Sequence, residues 1–328
     1  MTFPLYRRPT SVVLLDDDVR FLDLVGVVLP PQWAIKLFSE PQALLNYLEN
    51  DTKIHEEENW VHREIVGAAR EGQSAMQAIL QYWKDKGISR YSLSSVCVLD
   101  YSMPQMTGVE VLEKIQHWNG FRILLTGQAD EMLAIRTFNQ GLIQQFIPKQ
   151  SRDMAKRLIE AINKLMNETA GQLDKIWLGS LTKDQHNLLQ KPHITEKLLE
   201  LIQQYQWTEY VVIGAPFGIL GLNKDGQASW LQIESQQGLR SWDDLLEVAQ
   251  SEGLPEPQLQ ALATGECMID LELRFALGDD SPSQVSPIIM LCPNEGVTAA
   301  VFNIKDEYSP GLQNSWSYYL TTLPKRKA

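Results

Sequence analysis

Cysteine is scarce in this chain of 328 residues: Cys97, Cys267 and Cys292 lie far apart and form no C-x-x-C pair. That argues against a disulfide scaffold or a zinc site, and it fits a reducing compartment. Long apolar runs are missing as well, since no segment reaches the roughly 20 apolar residues of a membrane span. The opening stretch MTFPLYRRPTSVVLLDDD has no apolar core ahead of a cleavage site, because three acids interrupt its only early run. No signal peptide is therefore expected, and the chain is assigned to the cytoplasm with no membrane partner. Basic residues are the minority charge: 29 Lys and Arg against 41 Asp and Glu leave a formal charge of −12. A general nucleic-acid coat needs a basic surface to neutralise phosphates, so nucleic acid is not the expected partner. Gly (20) and Pro (16) are too few for a collagen-like or low-complexity chain, and 44% hydrophobic residues exclude a disordered one.

At about 100–200 residues per domain, the length suggests about two domains. The first part alternates strand and helix signals. Short apolar runs at 11–15, 33–38, 96–99, 122–125 and 145–148 read as strands. Helical spacing recurs at 19–29, from Ser39 to Leu48, at 108–118 and at 131–139. Such alternation predicts βαβ units, a five-stranded parallel sheet and an α/β, doubly wound fold over residues 8–152. Residues 51–93 break the rhythm. Trp60, Ile65, Ala68, Ala69, Met76, Ile79, Leu80 and Trp83 can share one side of one or two helices, which reads as a helical insertion projecting from the domain. Its stripe either packs on its own domain or docks a partner.

Residues 153–178 read as one amphipathic connecting helix, with Met154, Leu158, Ala161, Ile162, Leu165, Leu173 and Trp177 along a seam weakened by Gly171. This helix or the insertion is the expected contact of a homodimer. From Gly179 onward, acids outnumber bases, and helices alternate with strand signals around the turn Asn223-Lys224-Asp225-Gly226. Strands are expected at 268–275, 287–291 and 298–304, and Ser241 is the expected cap of a helix over 242–252. The reading is a smaller α+β domain with an antiparallel sheet over 179–328.

In a doubly wound parallel sheet, sites gather at the carboxyl ends of strands. Polar residues mark four of those ends: Asp16, Asp17 and Asp18, then Asp100, Thr126 and Lys149. Clustered carboxylates repel one another without a cation, and a hard divalent ion such as Mg²⁺ relieves that repulsion. A lysine and a hydroxyl beside them can hold phosphoryl oxygens, and a bare carboxylate can act as nucleophile and form an aspartyl phosphate. The residue types therefore point to phosphoryl transfer.

The motifs SVVLLDDDV, VCVLDYSMPQMTGVEVL, ILLTGQAD and FIPKQ, in this order at these strand ends, resemble the receiver domain of bacterial two-component response regulators. The resemblance covers about residues 11–150 apart from the insertion. It implies a flavodoxin-like fold, for which the handedness and site-placement rules are general ones. It implies that Asp100 accepts the phosphoryl group. Asp17, Asp16, Asp100 and the carbonyl of Ser102 would hold Mg²⁺, and Lys149 and Thr126 would contact the phosphoryl group. Phe146 would be the aromatic switch, and a histidine kinase or phosphotransfer protein the partner. Pro104 and Gly108 match the family's loop after the acceptor, and Gly127 leaves the site accessible. Asp18 is expected only to cap a helix or meet solvent. Two departures stand out: Gln150 replaces the proline that usually follows the lysine, and 83 residues separate Asp17 from Asp100, an excess that the insertion explains.

Beyond 179, no basic recognition helix is visible, and Lys325-Arg326-Lys327 is the one basic cluster. The segment APFGILGLNKDGQASWL resembles the opening hairpin of sensory PAS domains. Trp230, Trp242, Phe217 and Phe275 would then line a ligand pocket or pack the core. GQAD and GLIQQFIPKQ, with a tail that does not bind DNA, are similar to regulators that accompany quorum-sensing kinases. The expected function is a phosphorelay response regulator whose output works through protein or ligand contacts, with no enzymatic activity beyond the receiver's own phosphoryl chemistry. A receiver-gated nucleotide- or metabolite-handling enzyme and an atypical DNA-binding regulator are the other two classes.

Overall fold

The computed structural model describes residues 3–127, 131–168, 171–234 and 242–324. The chain runs through β1 (Tyr6–Arg7), β2 (Ser11–Leu15), β3 (Ala34–Phe38), β4 (Ser94–Asp100), β5 (Phe121–Thr126) and β6 (Gln145–Pro148). All but β1 form a parallel sheet of order β3-β2-β4-β5-β6, the predicted doubly wound arrangement. Alternate residues point to opposite faces of each strand, so the sheet builds two layers. Val12, Leu14, Val96, Val98, Ile123 and Leu125 pack with Leu22 and Val25 of the helix Val19–Val28 and with Leu158, Ala161, Ile162 and Leu165 of the helix Met154–Glu168. Val13, Leu15, Cys97, Leu99 and Leu124 pack on the other face with Leu44, Leu48, Val111, Leu112 and Trp118. The first half of the expected connecting seam is thus a layer of this sheet. Cys97 is fully buried, a small apolar residue in that core.

Later strands are β7 (Trp207–Gly214), β8 (Phe217–Asn223), β9 (Ala228–Glu234), β10 (Cys267–Ile269), β11 (Val285–Pro287), β12 (Ile289–Cys292) and β13 (Val297–Asn303). An antiparallel sheet has the order β1-β7-β8-β9-β13-β12, and β10 pairs with β11. The predicted hairpin is β8 and β9, whose turn is held by Asn223 Oδ1 accepting from the N–H groups of Asp225 and Gln227. The chain is therefore α/β overall, with a parallel sheet in one unit and an antiparallel sheet in another.

Those units cut across the expected boundaries. One comprises Met1–Arg8, Val61–Ile88 and Gln172–Tyr318; the other comprises Pro9–Trp60, Ser89–Gly171 and Tyr319–Ala328. The insertion does not stand apart as a projection. The helix expected to stop at Leu48 continues as Pro41–Arg70, because no proline falls between Glu49 and Arg70. Its Leu44 and Leu48 serve the parallel-sheet core, whereas Val66 serves the antiparallel-sheet core. The next helix, Ala75–Lys86, is capped by Ser74 and buries Met76, Ile79, Leu80 and Trp83 in that same second core. Trp60, expected on the stripe, is exposed. Trp177, from the far end of the expected connecting helix, is also in the second core, where its Nε1 donates to His62 Nδ1 at 3.2 Å.

Residues 268–275 do not form one strand. After β10 the chain enters the helix Leu271–Leu277, since Leu273, Ala276 and Leu277 recur at helical spacing and Gly278 closes it in the left-handed region. Phe275, expected to pack a core or line a pocket, is 91% exposed on that helix. Trp230 is fully buried and Phe217 packs against the same core. The helix Lys183–Leu189, started by a capping box of Thr182 and Gln185, and the helix Trp316–Thr322 were not expected. Ser241, the Trp242 side chain and the cluster Lys325-Arg326-Lys327 lie outside what is described. Among the described residues, no helix is long and apolar enough to cross a membrane.

Candidate functional site

The carboxyl ends of β2, β4 and β6 meet at one edge of the parallel sheet. Register does this: Leu15 pairs with Leu99, so the residues that follow, Asp16 and Asp100, emerge side by side. Asp16, Asp17 and Asp100 each place a carboxylate oxygen within 4.8 Å of the others. Asp16 and Asp100 are buried, whereas Asp17 is exposed. Asp18 is not part of the cluster. It caps the helix Val19–Val28, accepting from the N–H groups of Arg20 (2.9 Å) and Phe21 (3.3 Å), as expected of it. The Asp18 N–H in turn donates to Asp16 Oδ1 at 3.0 Å.

Lys149 follows β6 and reaches back across the cluster. Its Nζ lies 2.8 Å from Asp100 Oδ1 and 2.5 Å from Asp16 Oδ2. Thr126 ends β5, is buried, and accepts the Lys149 N–H at its carbonyl, at 2.8 Å. Gln150, the noted departure from the proline that usually follows the lysine, leaves this turn intact, because the N–H and hydroxyl of Ser151 both donate to the Pro148 carbonyl. Phe146 is half-buried, opposite Leu124 in register, and packs against the cluster that holds Leu15 and Leu99. Ser102 is exposed in the loop after β4. Gln128, Ala129 and Asp130 of the GQAD motif lie outside the described residues.

Burial dominates the electrostatics. It pushes the carboxyls of Asp16 and Asp100 above the ordinary aspartate value, against the opposing pull of Lys149. Burial also works against the charged form of Lys149, but its bonds to Asp100 and Asp16 outweigh that and hold its pKa above the usual value. Asp16 Oδ2 is buried and is met by the Lys149 ammonium at 2.5 Å. Three carboxylates this close share one ammonium, and their oxygens are donors that suit a hard cation.

Two contributors escaped the sequence reading, Phe21 and the Thr107–Glu110 pair. The Lys149 ammonium sits 4.5 Å from the ring centroid of Phe21, a cation–π contact that fixes the lysine from behind. Thr107 and Glu110 form a reciprocal capping box that starts the helix Gly108–Lys114 beside the site. The pattern T-x-x-E in the sequence is the signal that could have found it. Gly108 donates its N–H to the Tyr101 carbonyl at 2.9 Å, pressing the helix start onto the end of β4.

The family model of the response regulator receiver domain matches residues 58–163. This chain contains a receiver domain. The match spans Asp100, Thr126 and Lys149 but begins after β2 and β3. It is the fold that adds Asp16 and Asp17 to the receiver, on a strand of the same parallel sheet as Asp100. Among solved structures, the response regulator LqsR of Legionella pneumophila is 23% identical at a TM-score of 0.67, over 99% of this chain and 98% of that one. At that identity the likeness speaks for the fold, and it extends over both units. A CheY-like receiver domain from Methanospirillum hungatei is 16% identical over 49% of this chain and 96% of that one, at a TM-score of 0.33. The receiver domain of Francisella response regulator 1452 is 15% identical over 49% and 98%, at 0.32. No curated protein matches the chain.

Proposed function

We propose that this chain is a phosphorylation-controlled response regulator in which Asp100 takes a phosphoryl group from the phosphohistidine of a kinase or phosphotransfer protein. The observation that carries the reading is the Lys149 ammonium held 2.8 Å from Asp100, in a cluster where Asp16 and Asp17 supply the other carboxylates. Asp16, Asp17, Asp100 and the backbone carbonyl of Ser102 would hold Mg²⁺, and the three carboxylate oxygens within 4.8 Å of one another support that fit. Bound there, the ion would neutralise the carboxylates and draw charge from the phosphoryl oxygens.

A carboxylate oxygen of Asp100 attacks the phosphorus, an O–P bond forms, and the P–N bond to the donor imidazole breaks. The imidazole nitrogen leaves with the electron pair and takes up a proton from solvent. Lys149 moves its contact from the carboxylate to the equatorial oxygens, so positive charge is in place before the transfer begins. The product carries roughly −1.5 to −2 charges at pH 7 on its phosphoryl group, in place of the single charge of the carboxylate it esterifies. The Thr126 hydroxyl then donates to the phosphoryl group, and Phe146 turns inward behind it, biasing one of two packings. The output of the antiparallel unit works through protein or ligand contacts.

Incubation with a small acyl phosphate and Mg²⁺ should label the protein, and Asp100→Asn should abolish the label. Equal labelling of the Asp100→Asn protein would overturn the assignment.

A further inference from the structure

Far from the carboxylate cluster in sequence, the antiparallel unit brings together a second set of donor atoms. The imidazole of His193, the thiol of Cys292 and the carboxylate of Glu295 each place one ligand atom within 4.8 Å of the other two. Cys292 is the last residue of β12. The pairing of β12 with β13 shifts between Met290 and Cys292, and such a bulge re-aims the side chain that follows it. The turn Pro293–Glu295 follows at once and is closed by Gly296 in the left-handed region at φ 61°. Cys292 and Glu295 thereby stand on one short turn, three residues apart. The helix Pro192–Gln204 packs against β12, and His193 lies in its first turn. Lys191, at the cap of that helix, is ion-paired with Glu295, a clasp that ties the helix start to the turn. His193 and Glu295 are exposed, and Cys292 is buried beneath them. Two of the three ligand groups are therefore within reach of solvent.

We propose that His193, Cys292 and Glu295 form a metal site for a borderline divalent ion, with Zn²⁺ the best fit. One thiolate, one imidazole nitrogen and one carboxylate oxygen are the ligand types that Zn²⁺ takes, and three protein ligands with a solvent-facing fourth position make an open tetrahedral site. Mg²⁺ and Ca²⁺ prefer oxygen donors throughout and are disfavoured by the thiol. Binding releases the thiol proton and exchanges the Lys191 ammonium for the ion as the counter-charge of Glu295, so affinity rises with pH. The cysteine count argued against zinc because that reasoning looks for paired cysteines. Here the ligands come from segments about a hundred residues apart and include only one cysteine.

Co²⁺ replaces Zn²⁺ as the probe, because a cobalt–thiolate bond has its own charge-transfer absorption. The full chain, held in excess Mg²⁺ to fill the carboxylate cluster, is titrated with Co²⁺. A thiolate charge-transfer band, together with the intense visible bands of a four-coordinate ion, should appear and saturate at one equivalent. Cys292→Ser should abolish the charge-transfer band, and Cys267→Ser should leave it unchanged. His193→Ala and Glu295→Gln, both at exposed positions that a folded chain tolerates, should each weaken binding at least about tenfold, the usual scale of a lost ligand or its support. Lys191→Ala should tighten it by up to about fivefold by removing the competing cation. The proposal is overturned if the parent shows no band, if Cys292→Ser keeps it, or if His193→Ala binds as tightly as the parent, which would leave a lone thiol. Labelling of Asp100 by a phosphodonor is read separately in the same variants, so failure of either reading leaves the other standing.

Discussion

A Cβ placed on Gly108 would stand 2.3 Å from the carbonyl oxygen of Asp100 and 3.0 Å from Leu124 Cδ1. The helix Gly108–Lys114 therefore begins in contact with the backbone of the residue that the chemistry depends on. Gly108→Ala must move either the helix start or the end of β4. The cost expected for such overpacking is about 1–3 kcal/mol. Urea denaturation should show that loss, and phosphodonor labelling of Asp100 should slow. Unchanged stability together with unchanged labelling would mean that this contact is slack.

Magnesium and pH should act on the carboxylate cluster in opposite directions. Asp16 and Asp100 have pKa values raised by burial, so their folded forms hold protons more readily than the unfolded chain does. Their contribution to stability grows as pH falls through those raised values and is lost as pH rises above them. Lys149, raised by its two carboxylates against the pull of burial, contributes stability below the ordinary lysine value and loses it as pH rises through its own. Mg²⁺ binds the ionised carboxylates. It should stabilise by about 2.7 kcal/mol at a hundredfold excess over its Kd near neutral pH, and by clearly less at pH 5. Thermal melts with and without Mg²⁺ at the two pH values test this, and equal shifts at both would contradict it.

Lys149→Ala removes the cation between two buried carboxylates. Labelling of Asp100 should fall by roughly a hundredfold, the scale of losing a charged group that stabilises a transition state. Mg²⁺ binding should survive, because Asp16, Asp17 and Asp100 are untouched. Labelling rates and Mg²⁺ titrations by calorimetry separate the two effects. Loss of both would mean that the lysine holds the site's shape rather than the phosphoryl group.

Asp174 should give the antiparallel unit a pH dependence of its own. Its Oδ1 accepts from the N–H groups of Leu5 (2.8 Å) and Tyr6 (2.9 Å), which holds β1 in place. Burial lifts its pKa to about 6 despite those two hydrogen bonds. Stability from this group is present below the unfolded value of 3.8 and is lost as pH rises to about 6. Asp174→Asn keeps the accepting oxygen and removes the charge. It should stabilise by about 1–2 kcal/mol at pH 7 once screening is allowed for. Denaturation midpoints of parent and variant should converge near pH 4. A variant that is less stable at pH 7 would show that the ionised form is the one that fits.

Trp83, fully buried in the helix Ala75–Lys86, is expected to be essential to the antiparallel unit. Trp83→Ala should cost about 3–5 kcal/mol in the unfolding transition of that unit. Labelling of Asp100 should persist in the same protein. Loss of labelling without loss of stability would reverse the assignment of this helix.

Much of the receiver was legible in sequence because its signals are local. Apolar runs such as 11–15 and 96–99 are short, rich in Val and Leu and alternate with helical segments, and a parallel sheet has to place Asp16, Asp100, Thr126 and Lys149 at the same ends. The helix Leu271–Leu277 was misread because a short run such as Leu-Glu-Leu-Arg-Phe fits either period, and only burial of Leu273, Ala276 and Leu277 separates the two. Phe21 went unnoticed because its contact with Lys149 joins residues more than a hundred positions apart.

Residue order and residue type were therefore enough to fix the five-stranded α/β sheet, the carboxylate–lysine edge and the excess of acid over base. Each of these follows from periodicity or from charge, which a chain carries before it folds. Where one unit stops and the other starts was settled only by packing. The apolar stripe from Trp60 to Trp83 is equally satisfied by any apolar surface, and it is the antiparallel core that takes up Ile65, Ala69, Met76, Ile79, Leu80 and Trp83 while Trp60 stays exposed. The same holds for β1, whose two residues are too few to declare a strand until β7 lies beside them. It holds too for His193, Cys292 and Glu295, which have no pattern in sequence and share a site only because the helix Pro192–Gln204 packs against β12.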